Sequence, residues 1–108
     1  MQSAQRLLPY TRQLVLYALY DVLDAEACAY ERGADGWITA QVTVYGNRSG
    51  FVLSVSEEPP VTVLTVQVRE PCPGLSRQGQ QRAADYLADR VEQQLENELL
   101  LELQARSG

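Results

Sequence analysis

The stretch that decides the fold is Trp37-Ile-Thr-Ala-Gln-Val-Thr-Val-Tyr45. Ile38, Ala40, Val42 and Val44 alternate with Trp37, Thr39, Gln41, Thr43 and Tyr45, the period of two that puts apolar side chains on one face of a pleated strand. A strand over 37–45 is therefore expected. Toward the C-terminus, Gly46-Asn47-Arg48-Ser49-Gly50 is turn chemistry, and alternation resumes over 51–56, with Phe51, Leu53 and Val55 opposed to Val52, Ser54 and Ser56. Glu57-Glu58-Pro59-Pro60 turns the chain again, and a third strand over 61–69 sets Leu64, Val66 and Val68 against Val63, Thr65, Gln67 and Arg69. Consecutive strands joined by such short turns pair antiparallel, so the middle of the chain reads as a three-stranded meander with one oily face.

A helix is expected on each side of the meander. From Pro9 to Arg32 nothing breaks a helix until Gly33, and Leu14 to Tyr20 is apolar almost all round, which predicts a helix over 9–32 buried on more than one side. Asp35-Gly36 then turns into the first strand. Downstream, Pro73-Gly74 suits the central pair of a type II turn and Ser76 suits an N-cap. Ala83, Ala84, Leu87, Ala88, Val91, Leu95, Leu99 and Leu103 at helical spacing predict a second helix over 77–105. The expectation is one α+β domain over 1–108, in the order helix, strand, strand, strand, helix, with both helices on the oily face.

Length carries a further inference. Some 29 residues of helix span about 43 Å, whereas a nine-residue strand spans about 30 Å. The second helix therefore outruns its sheet, and Leu99, Leu100, Leu101 and Leu103 at its far end exceed what one short sheet can cover. Together with Leu16 and Leu19 of the first helix they are the expected interface of a two-fold homodimer.

Composition narrows the chemistry. The 108 residues are 45% hydrophobic and 21% charged, with no histidine, no lysine among nine basic residues, and a net charge of -5. Absence of histidine excludes His-based triads and His-containing zinc sites. An acidic chain with scattered arginines is not expected to bind nucleic acid. Leu14 to Tyr20 follows Arg6 and Arg12, and Ala27-Cys28-Ala29 has the form of a signal cleavage site. Asp21, Asp24 and Glu26 interrupt that pattern, and the apolar run falls short of the ~20 residues a membrane span needs. A cytoplasmic protein without a membrane partner is expected. Cys28 and Cys72 form no ligand or redox spacing, so no metal or cofactor is assigned.

The remaining candidates are few. Asp85, Asp89, Glu92 and Glu96 share one face of the second helix and read as a solvated acidic face, partly neutralised by Arg82 and Arg90. Cys72, just ahead of that helix, lacks a histidine base, so no catalytic residue is assigned. The second face of the sheet is the stronger candidate: Trp37, Gln41, Thr43, Tyr45, Thr65, Gln67 and Arg69 combine aromatics, an arginine and uncharged hydrogen-bonding groups, a composition enriched at protein interfaces. Either edge strand also offers backbone for strand addition.

The order of elements, the acidity and the size resemble those of secretion-chaperone-like domains, which bind client segments with a sheet and dimerise; three strands are fewer than such domains carry. The expected function is accordingly a non-enzymatic, homodimeric interaction module, adaptor or chaperone-like, whose partner is another protein or peptide. The competing expectation is a small-molecule or lipid site between sheet and helices, bordered by Tyr10, Tyr17, Tyr20 and Trp37, with Ala18, Ala25, Ala84 and Ala88 either leaving space or drawing the helices together.

Overall fold

The computed structural model describes residues 2–26 and 28–107, with side chains described up to position 99. Its elements are β1 (Ser3–Leu8), α1 (Arg12–Ala25), β2 (Ala29–Arg32), β3 (Ile38–Val44), β4 (Asn47–Glu58), β5 (Val61–Glu70) and α2 (Arg77–Ser107). The α+β class stands, but the sheet has five strands in the order β1-β5-β4-β3-β2, every neighbouring pair antiparallel. The expected meander is its centre, β3-β4-β5.

The expected helix over 9–32 is corrected at both ends. Thr11 is the N-cap, its hydroxyl accepting from the Leu14 N–H (3.3 Å), and Tyr10 before it is tied to β5 by the Thr62 hydroxyl donating to the Tyr10 carbonyl. At the other end α1 stops at Ala25, and Ala29–Arg32 leaves the helix to pair with Ile38–Gln41. Nothing in Ala25 to Tyr30 forbids helix; the ladder to β3 outweighs local propensity. Asp35-Gly36 is thus the turn of a β-hairpin, with Gly36 at φ 86° and the Asp35 carboxylate accepting from the Trp37 N–H (3.0 Å). Ala27, in the triplet that resembles a cleavage site, lies outside the described residues.

β1 escaped the sequence reading because Arg6 stands where period two requires an inward apolar residue between Ala4 and Leu8. The turn between β3 and β4 is also shorter than expected. Tyr45 (φ 52°) and Gly46 (φ 82°) alone make it, both with the positive φ of a type I′ turn, and Asn47 to Gly50 belong to β4. Between β4 and β5, Glu58 pairs with Val61 across a Pro59–Pro60 turn whose peptide bond is cis.

The punctuation before α2 matches its reading. The Leu75 N–H donates to the Cys72 carbonyl (3.0 Å) across Pro73-Gly74, with Gly74 at φ 84° as a type II turn requires. The Gly79 N–H donates to the Ser76 hydroxyl (3.1 Å), so Ser76 caps the helix.

One core holds these parts. Ile38, Ala40, Val42 and Val44 of β3, Phe51, Leu53 and Val55 of β4, and Leu64, Val66 and Val68 of β5 share a buried cluster with residues of both helices. Both helices therefore lie on one face of the sheet. Ala18, Ala84 and Ala88 are fully buried in that core, whereas Ala25 is exposed. The long axis is 50 Å, close to the ~46 Å that 31 helical residues span, so α2 sets the length of the molecule. Leu95 is its last buried side chain among the described residues.

Candidate interaction surface

With both helices on one face, the other face of the sheet is uncovered. Register places Glu31, Thr39, Val52, Gln67 and Ser3 in one row across all five strands. Val52 is only 6% exposed even though no helix lies over it. Over Thr39, Val52 and Gln67 lies an open hollow of about 470 Å³, bordered also by Trp37, Arg69 and Asp35. Arg69 reaches its edge through an irregularity in pairing: Gly50 opposes Glu70 while Phe51 opposes Val68, so Arg69 is skipped. An apolar floor, one aromatic wall and several hydrogen-bonding groups can hold an apolar side chain while orienting polar neighbours.

Of the residues assigned to this face, Trp37, Gln67 and Arg69 meet at the hollow. Thr65 lies on the same face, where the Gln5 amide approaches its hydroxyl at 3.5 Å. Gln41 lies across Gly50, with its amide nitrogen only 2.8 Å from where a Cβ on that glycine would stand. Thr43 is exposed opposite Arg48, away from the hollow. Tyr45 does not belong to this face. Its place in the turn carries the ring to α2, where it meets Tyr86 edge-on at 5.5 Å. Glu31 and Asp35, which border the hollow, were missed, the first because 29–32 was taken as helix and the second because it was read only as a turn residue. The glycines at 33 and 36, flanking a hairpin loop, were the available signal.

The proposed dimer residues separate similarly. Leu19 is fully buried in the core, whereas Leu16 packs against it and is half-buried. Exposed on α1 are instead Leu14 (45%) and Tyr17 (54%), and Leu99 of α2 is 45% exposed. Leu100, Leu101 and Leu103 lie outside the described side chains.

The acidic face of α2 is not simply solvated. Arg6 reaches it from β1, with Nε 2.9 Å from Glu92 Oε1 and a terminal nitrogen 3.0 Å from Asp89 Oδ1 and 3.6 Å from Asp85 Oδ1. Hydrogen bonding to Asp89 and the surrounding carboxylates raise the guanidinium above the usual arginine range, against the opposing effect of its burial. Arg90 turns away to Glu26 (3.3 Å), which also accepts from the Tyr86 hydroxyl (2.8 Å). That bond to Glu26, reinforced by burial, raises the Tyr86 phenol above its ordinary value.

Elsewhere the chemistry is subdued. Burial raises the Cys28 thiol, which donates to the Leu23 carbonyl at 3.3 Å. Cys72 donates its backbone N–H to the Ser49 hydroxyl (2.9 Å). Among the described residues no three Cys, Asp or Glu side chains group as metal ligands, and no helix is long and apolar enough to cross a membrane. The aromatics Tyr10, Tyr17, Tyr20 and Trp37 do not border one cavity: Tyr10 and Tyr20 pack on the core, Tyr17 is exposed on α1 and Trp37 stands by the open sheet face. No protein-family model matches the chain, and no curated protein matches it in sequence.

Proposed function

We propose that the protein is a non-enzymatic interaction module, adaptor or chaperone-like, that works in the cytoplasm as a homodimer and receives another polypeptide on the open face of its sheet. The observation that carries this reading is the one-sided cover of the sheet. Two helices close one face, while the other keeps an apolar floor at Val52, an exposed Trp37 and a 470 Å³ hollow between them and Arg69. A lone exposed apolar residue on a sheet is ordinary; an aromatic beside a hollow with a buried floor has the anatomy of an interface centre. Two free thiols suit a reducing compartment.

Dimerisation is supported by α2. Twelve helical residues follow Leu95, about 18 Å of helix, and an isolated helix of that length is marginal in water. Leu14, Tyr17 and Leu99 supply exposed apolar area for a second copy to cover. A chain ending at Leu95 is expected to sediment as a folded monomer and the full chain as a dimer at micromolar concentration; a monomeric full chain refutes this part. For the sheet face, affinity purification from the native host compares the wild type with Thr65→Arg and with Gln78→Arg, a control at the exposed start of α2. The reading requires a polypeptide retained by wild type and control and lost with Thr65→Arg; equal recovery from all three overturns it.

A further inference from the structure

The two edges of the sheet are not equivalent. In an antiparallel pair, residues alternately bond the neighbour and point outward. On β1 the phase is set by the Val68 N–H donating to the Gln2 carbonyl (2.9 Å), so Ser3, Gln5 and Leu7 present their backbone to the outside. Two of those carbonyls are taken. Gln81 of α2 donates its amide to Ser3 (2.7 Å), and Arg6 donates its guanidinium to Gln5 (3.1 Å). Side chains that occupy edge carbonyls block the addition of another strand.

On β2 the phase is set by the Gly33 N–H donating to the Trp37 carbonyl (2.7 Å), so Glu31 and Ala29 bond β3 while Tyr30 and Arg32 direct N–H and C=O outward. Among the described residues no hydrogen bond reaches these four groups. Two hollows adjoin the same edge. The smaller, about 240 Å³, lies at Ala29 and Gln41; the larger is the one at Trp37. Glu31 borders both and is exposed between them.

We infer that β2 is the docking edge, and that it takes an extended segment of the partner polypeptide as a sixth strand, with a basic residue opposite Glu31 and apolar residues two positions to either side. This rests on the reading of the protein as an interaction module and names its partner's chemistry. The alternation follows from strand geometry: side chains two residues apart share a face about 6.7 Å apart, so one cation against Glu31 brings its same-face neighbours to the two hollows. Glu31 would sit in a non-hydrogen-bonded pair, where opposed side chains approach most closely. The charge has the right sign, since the chain carries -5 overall. Around the larger hollow Arg32 and Arg69 balance Asp35 and Glu31, whereas among the described residues Glu31 is the one charged residue lining the smaller hollow, which makes it the charge that selects there.

The test uses two labelled peptides, Thr-Val-Thr-Lys-Thr-Val-Thr and its counterpart with Glu in place of Lys, with fluorescence anisotropy and amide exchange as readouts. The lysine peptide is expected to bind about fivefold more tightly, the scale of one cross-strand charge pair, and to slow exchange at Tyr30 and Arg32. Glu31→Arg is expected to reverse the preference. Arg32→Pro removes one outward N–H and is expected to weaken both peptides while leaving the melting temperature near that of wild type. Equal affinities, no binding, or a preference unchanged by Glu31→Arg overturns the inference, and the last outcome stands even if Arg32→Pro fails to fold. If Glu31→Arg still retains the host polypeptide that Thr65→Arg loses, strand addition fails and the interaction reading survives; if neither variant loses it, both fail.

Discussion

Replacing Arg6 by glutamine removes the charge that ties β1 to α2 while keeping a similar stem. Three carboxylates then lose their partner: Glu92 at 2.9 Å, Asp89 at 3.0 Å and Asp85 at 3.6 Å. Their exposure limits what is lost. Asp89 is 70% exposed and belongs at the low end of the ~0.2–1 kcal/mol range for surface pairs, whereas Glu92 at 36%, against an arginine at 25%, belongs near the top. The acids at helical spacing also repel once the cation is gone, adding a few tenths of a kcal/mol. A loss of about 1–2 kcal/mol follows, which for a domain near this size lowers the melting temperature by roughly 5–15 °C. Thermal melts in low salt and in 1 M salt, where the screening length falls to about 3 Å, should show the gap between wild type and Arg6→Gln shrinking by more than half. An unchanged melting temperature, or a loss indifferent to salt, refutes the clasp and returns the acids of α2 to a free solvated face.

Two other perturbations probe different layers. Tyr86→Phe should cost about 1 kcal/mol at neutral pH by removing the bond to Glu26. Because the phenol of the folded protein titrates above its unfolded value of about 10, that stabilisation is complete below pH 10 and lost as pH rises through the folded value. Urea titrations of both proteins should therefore converge only in strong alkali, and convergence below pH 9 contradicts the assignment. Leu64→Ala, at a fully buried core position, should cost about 2–5 kcal/mol, while Leu7→Ala, 67% exposed on the open sheet face, should stay within about 0.5 kcal/mol in the same titrations. Comparable losses contradict the assignment of faces.

What could be read from the chain follows from which residues obey a local rule. Trp37 to Tyr45 announced its strand because Ile38 through Val44 alternate without exception, and Ser76 and Pro73-Gly74 announced the entry to α2 because capping and turn geometry depend on neighbours. β1 was hidden by Arg6, whose inward place makes sense only once Asp89 and Glu92 stand beside it from α2. β2 was hidden because Ala29 to Arg32 is good helix sequence and becomes strand through pairing with Ile38–Gln41. The open sheet face was legible in Trp37 and Gln67, since face follows from alternation alone, whereas Arg69 stands at an irregularity in pairing that alternation does not show. Tyr45 was misplaced by the same rule, because a residue in a two-residue turn no longer obeys it. Glu31, which the docking inference needs, belongs to the strand that tertiary pairing created.

The most direct measurement of the interaction reading is hydroxyl-radical footprinting of the protein with and without the polypeptide that co-purifies from its host. Trp37 reports on the open sheet face and Tyr45 on the turn beside α2, at 36% and 72% exposure. Binding on the sheet predicts that oxidation of Trp37 falls severalfold while Tyr45 is unchanged. Protection of Tyr45 with Trp37 left as reactive as in the free protein contradicts it.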